Sequence, residues 1–200
     1  KNKLYKSKKN IFKILDYAKK KNIRHLDTAR SYNISEQNIG EYHNQRKSIN
    51  KFKIITKLSY LSKIKKKDLK NKLLKDIFFS LYFLDKNKLD IVLIHNFKDV
   101  LKHKTVLFKY LNEIKKINLF NELGVSVYSP KEALICLKNK NIKHIQIPFN
   151  ILDQRWLKTN FLKQLKSRPD VKIHARSIFL RGLILNRFKY WPIWLKNRAK

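Results

Sequence analysis

Short β-branched runs alternate with longer helical patterns along almost the whole sequence, and no other feature limits the fold as strongly. The runs are IRHLD (23–27), FKIITK (52–57), LDIVLIH (89–95), LGVSV (123–127), IKHIQIPF (142–149) and VKIHARS (171–177). Between them stand SEQNIGEYHNQ, KKDLKNKLLKDIFFSLYFL, DVLKHKTVLFKYLNEIKKI, SPKEALICLKNK and DQRWLKTNFLKQLKS. In these segments apolar residues recur at helical spacing. Ser35, Asp99, Asp153 and Ser129, the last followed by Pro130, stand where N-caps are wanted. A further helical pattern, NIFKILDYAKKK, precedes the first run.

Parallel strands need crossovers of this kind, so the pattern reads as repeated βα units. Two architectures satisfy it, a doubly wound sheet and a (β/α)8 barrel. No GxGxxG follows any strand, and the 3 glycines, Gly40, Gly124 and Gly182, cannot build a phosphate-cradling loop. A complete barrel takes about 250 residues. The sequence therefore predicts an α/β fold, a (β/α)8 TIM barrel that is incomplete. It should hold about six parallel strands with their helices in a single domain over residues 1–200, the first strand missing upstream and the last beyond Lys200. The absence of any methionine agrees with a processed or partial chain.

Composition removes several function classes. Hydrophobic residues make up 43% of the chain, but the apolar runs are as short as IVLI at 91–94. A membrane-spanning helix takes about 20 such residues, so none is expected. The basic N-terminus has no apolar stretch behind it and does not read as a secretory signal. Cys136, the one cysteine, lies in an apolar helical pattern and should be a buried small hydrophobe. With a single thiol there is no intrachain disulfide and no cysteine-rich zinc site, and no metal site is expected; this usage suits a reducing, cytoplasmic setting. The net charge is +34, yet the lysines are spread along the whole chain. Such a surface attracts polyanions without selecting a sequence, so no specific nucleic-acid partner is expected and a nucleic-acid-binding protein is the least favoured reading.

Three successive runs end in ionisable residues: Asp27, Lys57 and His95. In a barrel, the C-terminal ends of the strands form the active site. Each residue alone has a plain structural use, as a turn cap, a surface charge or a satisfied core histidine. On neighbouring strands they point to a shared site.

These stretches resemble the aldo-keto reductase family. LDTARSYNISEQNIG is similar to its D-T-A-x-x-Y-G-x-S-E-x-x-x-G signature, with Asn33 where glycine is usual. IITK, LDIVLIH, LGVSVYS, IQIPFN and HARSIFLRGLIL resemble later segments in the right order. The resemblance implies hydride reduction of a small aldehyde or ketone by NADPH, with NADH left open. It implies Tyr32 as general acid, Lys57 as the cation lowering its pKa, Asp27 as the partner of Lys57, and His95 as the group orienting the carbonyl oxygen. Ser126, Gln146, Arg176 and Ser177 are the implied cofactor-binding positions. Val127 stands where asparagine often aids carboxamide binding, and Arg176 where a tyrosine usually stacks on the ring. HARS and NILDQR resemble bacterial branches associated with cell-surface sugar biosynthesis, which implies a sugar-related substrate. The competing expectation is a non-catalytic nucleotide-binding or regulatory member. The incomplete barrel itself is expected to have at most feeble activity.

Overall fold

The computed structural model describes residues 7–47 and 51–193. The strands are β1 (His25–Asp27), β2 (Lys53–Lys57), β3 (Leu89–Ile94), β4 (Phe120–Ser126), β5 (Ile142–Pro148) and β6 (Lys172–Arg176). The helices are α1 (Lys8–Lys20), α2 (Ser35–Gln45), α3 (Leu69–Leu84), α4 (Phe97–Lys116), α5 (Pro130–Leu137) and α6 (Phe161–Lys166). All six strands form one sheet in chain order, and every neighbouring pair is parallel.

One contact shows that this sheet is curled. Gln146 Nε2 on β5 donates to Asp27 Oδ1 on β1 at 2.8 Å. Strands lie about 4.8 Å apart, so four steps across a flat sheet would put these strands roughly 19 Å apart. The six strands bend into a half-barrel, as the sequence predicts.

Alternation along the strands sorts the side chains between two faces. Ile54, Val92, Ile94, Leu123, Val125, Ile145 and Ile147 face outward and join Leu73, Ile77, Leu107, Leu111 and Ala133 of the helices in the main core. On the inner face, Ile55, Ile91 and Leu93 form a small separate apolar cluster. The remaining inward positions are mostly polar: His25, Asp27, Lys57, Glu122, Ser126, His144, Gln146, His174 and Arg176.

Gly124 fits that inner face because it lacks a side chain. A Cβ there would lie 2.4 Å from the His144 carbonyl oxygen and 2.4 Å from Leu93 Cδ2, where the β4–β5 register also shifts. At Gly40 a Cβ would meet the Phe83 carbonyl oxygen at 2.1 Å, so glycine lets α2 approach α3.

Several helix starts differ from the sequence expectation. Ser129 caps α5, with its oxygen accepting from Glu132 N and Pro130 at the first position. The cap of α4 is Asn96, which accepts from Lys98 N; Asp99 instead sits buried inside the first turn and accepts from Leu61 N. Ser35 is the first helical residue of α2 rather than its cap. Asp153 caps no helix. It binds the Arg155 side chain, and the Asn150 side chain accepts from Leu152 N, so these local bonds hold a turn in place of a helix. The helix there is confined to Phe161–Lys166, and Trp156 packs edge-on against Phe161. His95 lies one residue beyond the end of β3.

Gly124→Ala should destabilise the fold by about 1–3 kcal/mol, the usual cost of overpacking against atoms that cannot move aside. A urea midpoint indistinguishable from that of the parent would contradict the close approach of β4 and β5.

Candidate active site

The site begins where β1 ends. Thr28 N donates to Ile55 O and Arg30 N to Lys57 O, so the chain follows β2 for three residues beyond Asp27. A tight turn then brings Tyr32 N to Ala29 O. Asn33, at the position usually held by glycine in the resemblance, has φ 46°. Asparagine tolerates that left-handed conformation better than most residues. Glu36, 2% exposed, anchors the start of α2: its carboxylate accepts from Thr56 Oγ1 at 2.6 Å and Ser80 Oγ at 2.8 Å, and also from Arg30. These bonds fix the loop that carries Tyr32.

Lys57 is 1% exposed. Its ammonium donates to Asp27 Oδ1 at 2.7 Å, Asp27 Oδ2 at 2.8 Å and the Thr28 carbonyl at 2.8 Å. An ammonium has three N–H donors, and here three acceptors meet them. Nζ also lies 5.1 Å from the centroid of the Tyr32 ring. Tyr32, 45% exposed, faces His95 edge to face at 6.1 Å. Tyr60 stacks on the same imidazole, with ring centroids 4.7 Å apart.

The Tyr32 pKa is raised, first by burial and then by the nearby Asp27 charge. The Arg176 charge acts in the opposite direction and lowers it. Burial also lowers the Lys57 pKa, against the opposing pull of Asp27. Burial and then Lys57 lower that of His95, favouring a neutral imidazole.

The cofactor-binding positions separate into two groups. Ser126 and Gln146 are register partners at the ends of β4 and β5, and both are buried. Gln146 donates its amide nitrogen to Asp27, whereas its buried Oε1 has no hydrogen-bond partner among the described residues. That orphaned acceptor is suited to a carboxamide N–H, so these residues fit a nicotinamide. Arg176 ends β6, and Ser177 is exposed with φ 62° on the following turn, its carbonyl accepting from Leu180 N. Val127 is fully buried in the outer apolar core.

The sequence reading missed a second polar network deeper on the inner face. His144 Nε2 bonds Glu122 Oε2 at 2.7 Å, and His144 Nδ1 bonds His174 Nε2 at 2.7 Å, with the two rings stacked. Its signal was available: His144 and His174 precede Gln146 and Arg176 by two residues, so each pair shares a strand face. Tyr60, Tyr128 and the Thr28 carbonyl were missed too. Among the described residues there is no cluster that could hold a metal ion, and no helix is long and apolar enough to cross a membrane.

A half-barrel whose strands end in a converging Asp, Lys, His and Gln, with a tyrosine on the first loop, is part of a βα-barrel. The aldo/keto reductase family model matches residues 1–190, and the chain belongs to that family. Aldo-keto reductase AKR11C1 from Bacillus halodurans is similar in structure, with a TM-score of 0.73 and 23% identity, over 92% of this chain and 62% of that one. The glycerol dehydrogenase AKR11B4 from Gluconobacter oxydans gives 0.70 and 22%, over 91% and 58%. At these identities the likeness shows the fold, and the chain spans less than two-thirds of either structure. No curated protein matches the sequence.

The histidines make stability depend on pH. Burial lowers the pKa of both His174 and His43 from 6.5 to about 4. Between those values the unfolded chain binds more protons than the folded one, so stability present above pH 6.5 is lost as pH falls towards about 4. Urea midpoints should drop through this window, and His174→Gln should flatten the slope. An unchanged slope in that variant would contradict a neutral His174.

Proposed function

We propose that this chain carries the reacting half of an NADPH-dependent reductase of aldehydes or ketones, with NADH left open. The observation that supports this most directly is the convergence of Tyr32, Lys57, Asp27 and His95 on one mouth, beside the unpartnered Gln146 oxygen. When bound, the cofactor supplies a hydride to the carbonyl carbon. The chain's own residues deal with the oxygen. His95, neutral and in contact with Tyr60 and Tyr32, orients it by hydrogen bonding. Tyr32 gives its hydroxyl proton to the oxygen as negative charge builds there. Its raised pKa keeps that proton in place until the alkoxide, a stronger base, forms. Lys57 contributes positive charge beneath the ring, and Asp27 keeps it protonated against the cost of burial. Gln146 and Ser126 hold the carboxamide.

A second reading, a member that binds the nucleotide without turnover, draws on Val127 and Arg176, which stand where the family usually has asparagine and tyrosine. The two separate in one experiment on the full-length protein. NADPH oxidation is followed with a panel of aldehydes and ketones, and NADPH binding is followed by fluorescence. Tyr32→Phe should reduce turnover by roughly 10²–10⁴-fold, the usual worth of a general acid, with NADPH affinity retained. Tight NADPH binding without oxidation by any carbonyl compound would favour the second reading. Equal turnover in Tyr32→Phe and the parent would remove Tyr32 from the acid role.

A further inference from the structure

The chain that leaves β2 is pinned on both sides of an exposed tyrosine. Leu58 N donates to the Leu93 carbonyl on β3 at 3.0 Å. Ser59 N and Oγ both donate to Asp76 Oδ2 on α3, at 2.9 and 2.6 Å. Leu61 N donates to Asp99 Oδ2 at 3.1 Å, and the Leu61 carbonyl accepts from His103 Nε2 at 3.0 Å. Asp99 and His103 stand four residues apart on α4 and so share one face of that helix. Asp76, Asp99 and His103 are all buried, and none of them enters the chemistry above. Burying a carboxylate is costly unless hydrogen bonds meet it. Here two buried carboxylates meet the N–H groups of Ser59 and Leu61 and leave Tyr60 fixed between them.

Tyr60 is 53% exposed, so the clamps do not serve to bury it. Its ring lies on the imidazole of His95, with centroids 4.7 Å apart and planes 21° from parallel. Tyr32 meets the same imidazole only by its edge, at 6.1 Å and 81°. His95 Nδ1 is buried and has no hydrogen-bond partner among the described residues, so no bond at that nitrogen sets the ring. The torsion that turns an imidazole is broad and roughly two-fold, and a neighbour must choose the plane. Tyr60 is the neighbour that covers a face. His95 in turn leads through the cap Asn96 into α4, the helix that grips Leu61. Platform and imidazole are therefore tied to one helix.

We propose that Tyr60 is a positioning residue for the reduction: clamped through Ser59 and Leu61, its ring fixes the plane of the His95 imidazole and keeps water from one face of it. This rests on the reductase reading above and adds to it a group that acts only through His95. Tyr60 itself gives no proton and holds no part of the cofactor. The ring matters and the hydroxyl does not.

The test uses the full-length protein with Tyr60→Phe and Tyr60→Ala, each alone and in a His95→Ala background. Turnover of NADPH with a panel of aldehydes and ketones is measured together with NADPH affinity. Tyr60→Ala should lower kcat roughly 10- to 100-fold, the range from losing an aromatic pair to misplacing a group by about 1 Å, with NADPH affinity kept. Tyr60→Phe should stay near the parent. In the His95→Ala background Tyr60→Ala should add no further loss, because a residue that acts through another has nothing left to act on.

The His95 imidazole is also titrated by nitrogen NMR, its signal assigned by its absence in His95→Ala. Burial is the first cause of its lowered pKa, so exposure in Tyr60→Ala should move the midpoint up towards 6.5, and the acid limb of kcat/KM should rise with it. The charged groups that act on His95 are Lys57, Asp27 and Arg176, and these variants change none of them. A protein that merely folded less well would lose kcat without that shift. If no carbonyl compound is reduced but the midpoint moves, the reductase reading fails and the hold of Tyr60 on His95 stands. An unmoved midpoint overturns the proposal, as does a full further loss in the His95→Ala background or a Tyr60→Phe protein as poor as Tyr60→Ala.

Discussion

The arrangement at the mouth of the half-barrel depends on the carboxylate of Asp27. It accepts from Lys57 on the next strand and from Gln146 four strands away, so one short side chain spans the curvature of the sheet. The backbone alone fixes each strand only against its immediate neighbours. The cross-barrel bond adds a constraint that a flat sheet could not satisfy, and it links the group that holds the lysine to the group suited to the cofactor's carboxamide. The apolar outer core explains why the strands stay together; the Asp27 contacts explain which inward side chains meet.

An ammonium with 1% exposure is costly unless its donors are met. Here two carboxylate oxygens and one carbonyl meet all three, which keeps the charge inside the protein. The resemblance to aldo-keto reductases assigns that lysine to lowering the phenol's pKa. In the structure, burial and the Asp27 charge raise the phenol's pKa, and Arg176 at the end of β6 opposes them.

Much of this was legible in the sequence because its signals are periodic. β-branched runs separated by helical patterns admit few folds, and three successive runs ending in Asp27, Lys57 and His95 mark the mouth. What was not legible depends on register and local competition. Period two places His144 and His174 on the inner face, but only the pairing of β5 with β6 brings their rings together. The helical spacing after Asp153 is real, yet Asn150 and Asp153 use their side chains on nearby donors and hold that stretch in a turn. Asp99 looked like a cap and is instead a buried acceptor for Leu61 N, a contact 38 residues away in sequence.

Direct titration of Lys57 tests the central role of Asp27. With lysine labelled at Cε, the carbon shift of Lys57 reports its charge as pH is raised, in the parent and in Asp27→Asn. The account predicts a charged Lys57 at neutral pH in the parent, with a midpoint below that of ordinary lysine because burial dominates. It predicts a further downward shift in Asp27→Asn, where burial is no longer opposed by the carboxylate. A Lys57 midpoint unaffected by that substitution would contradict the account.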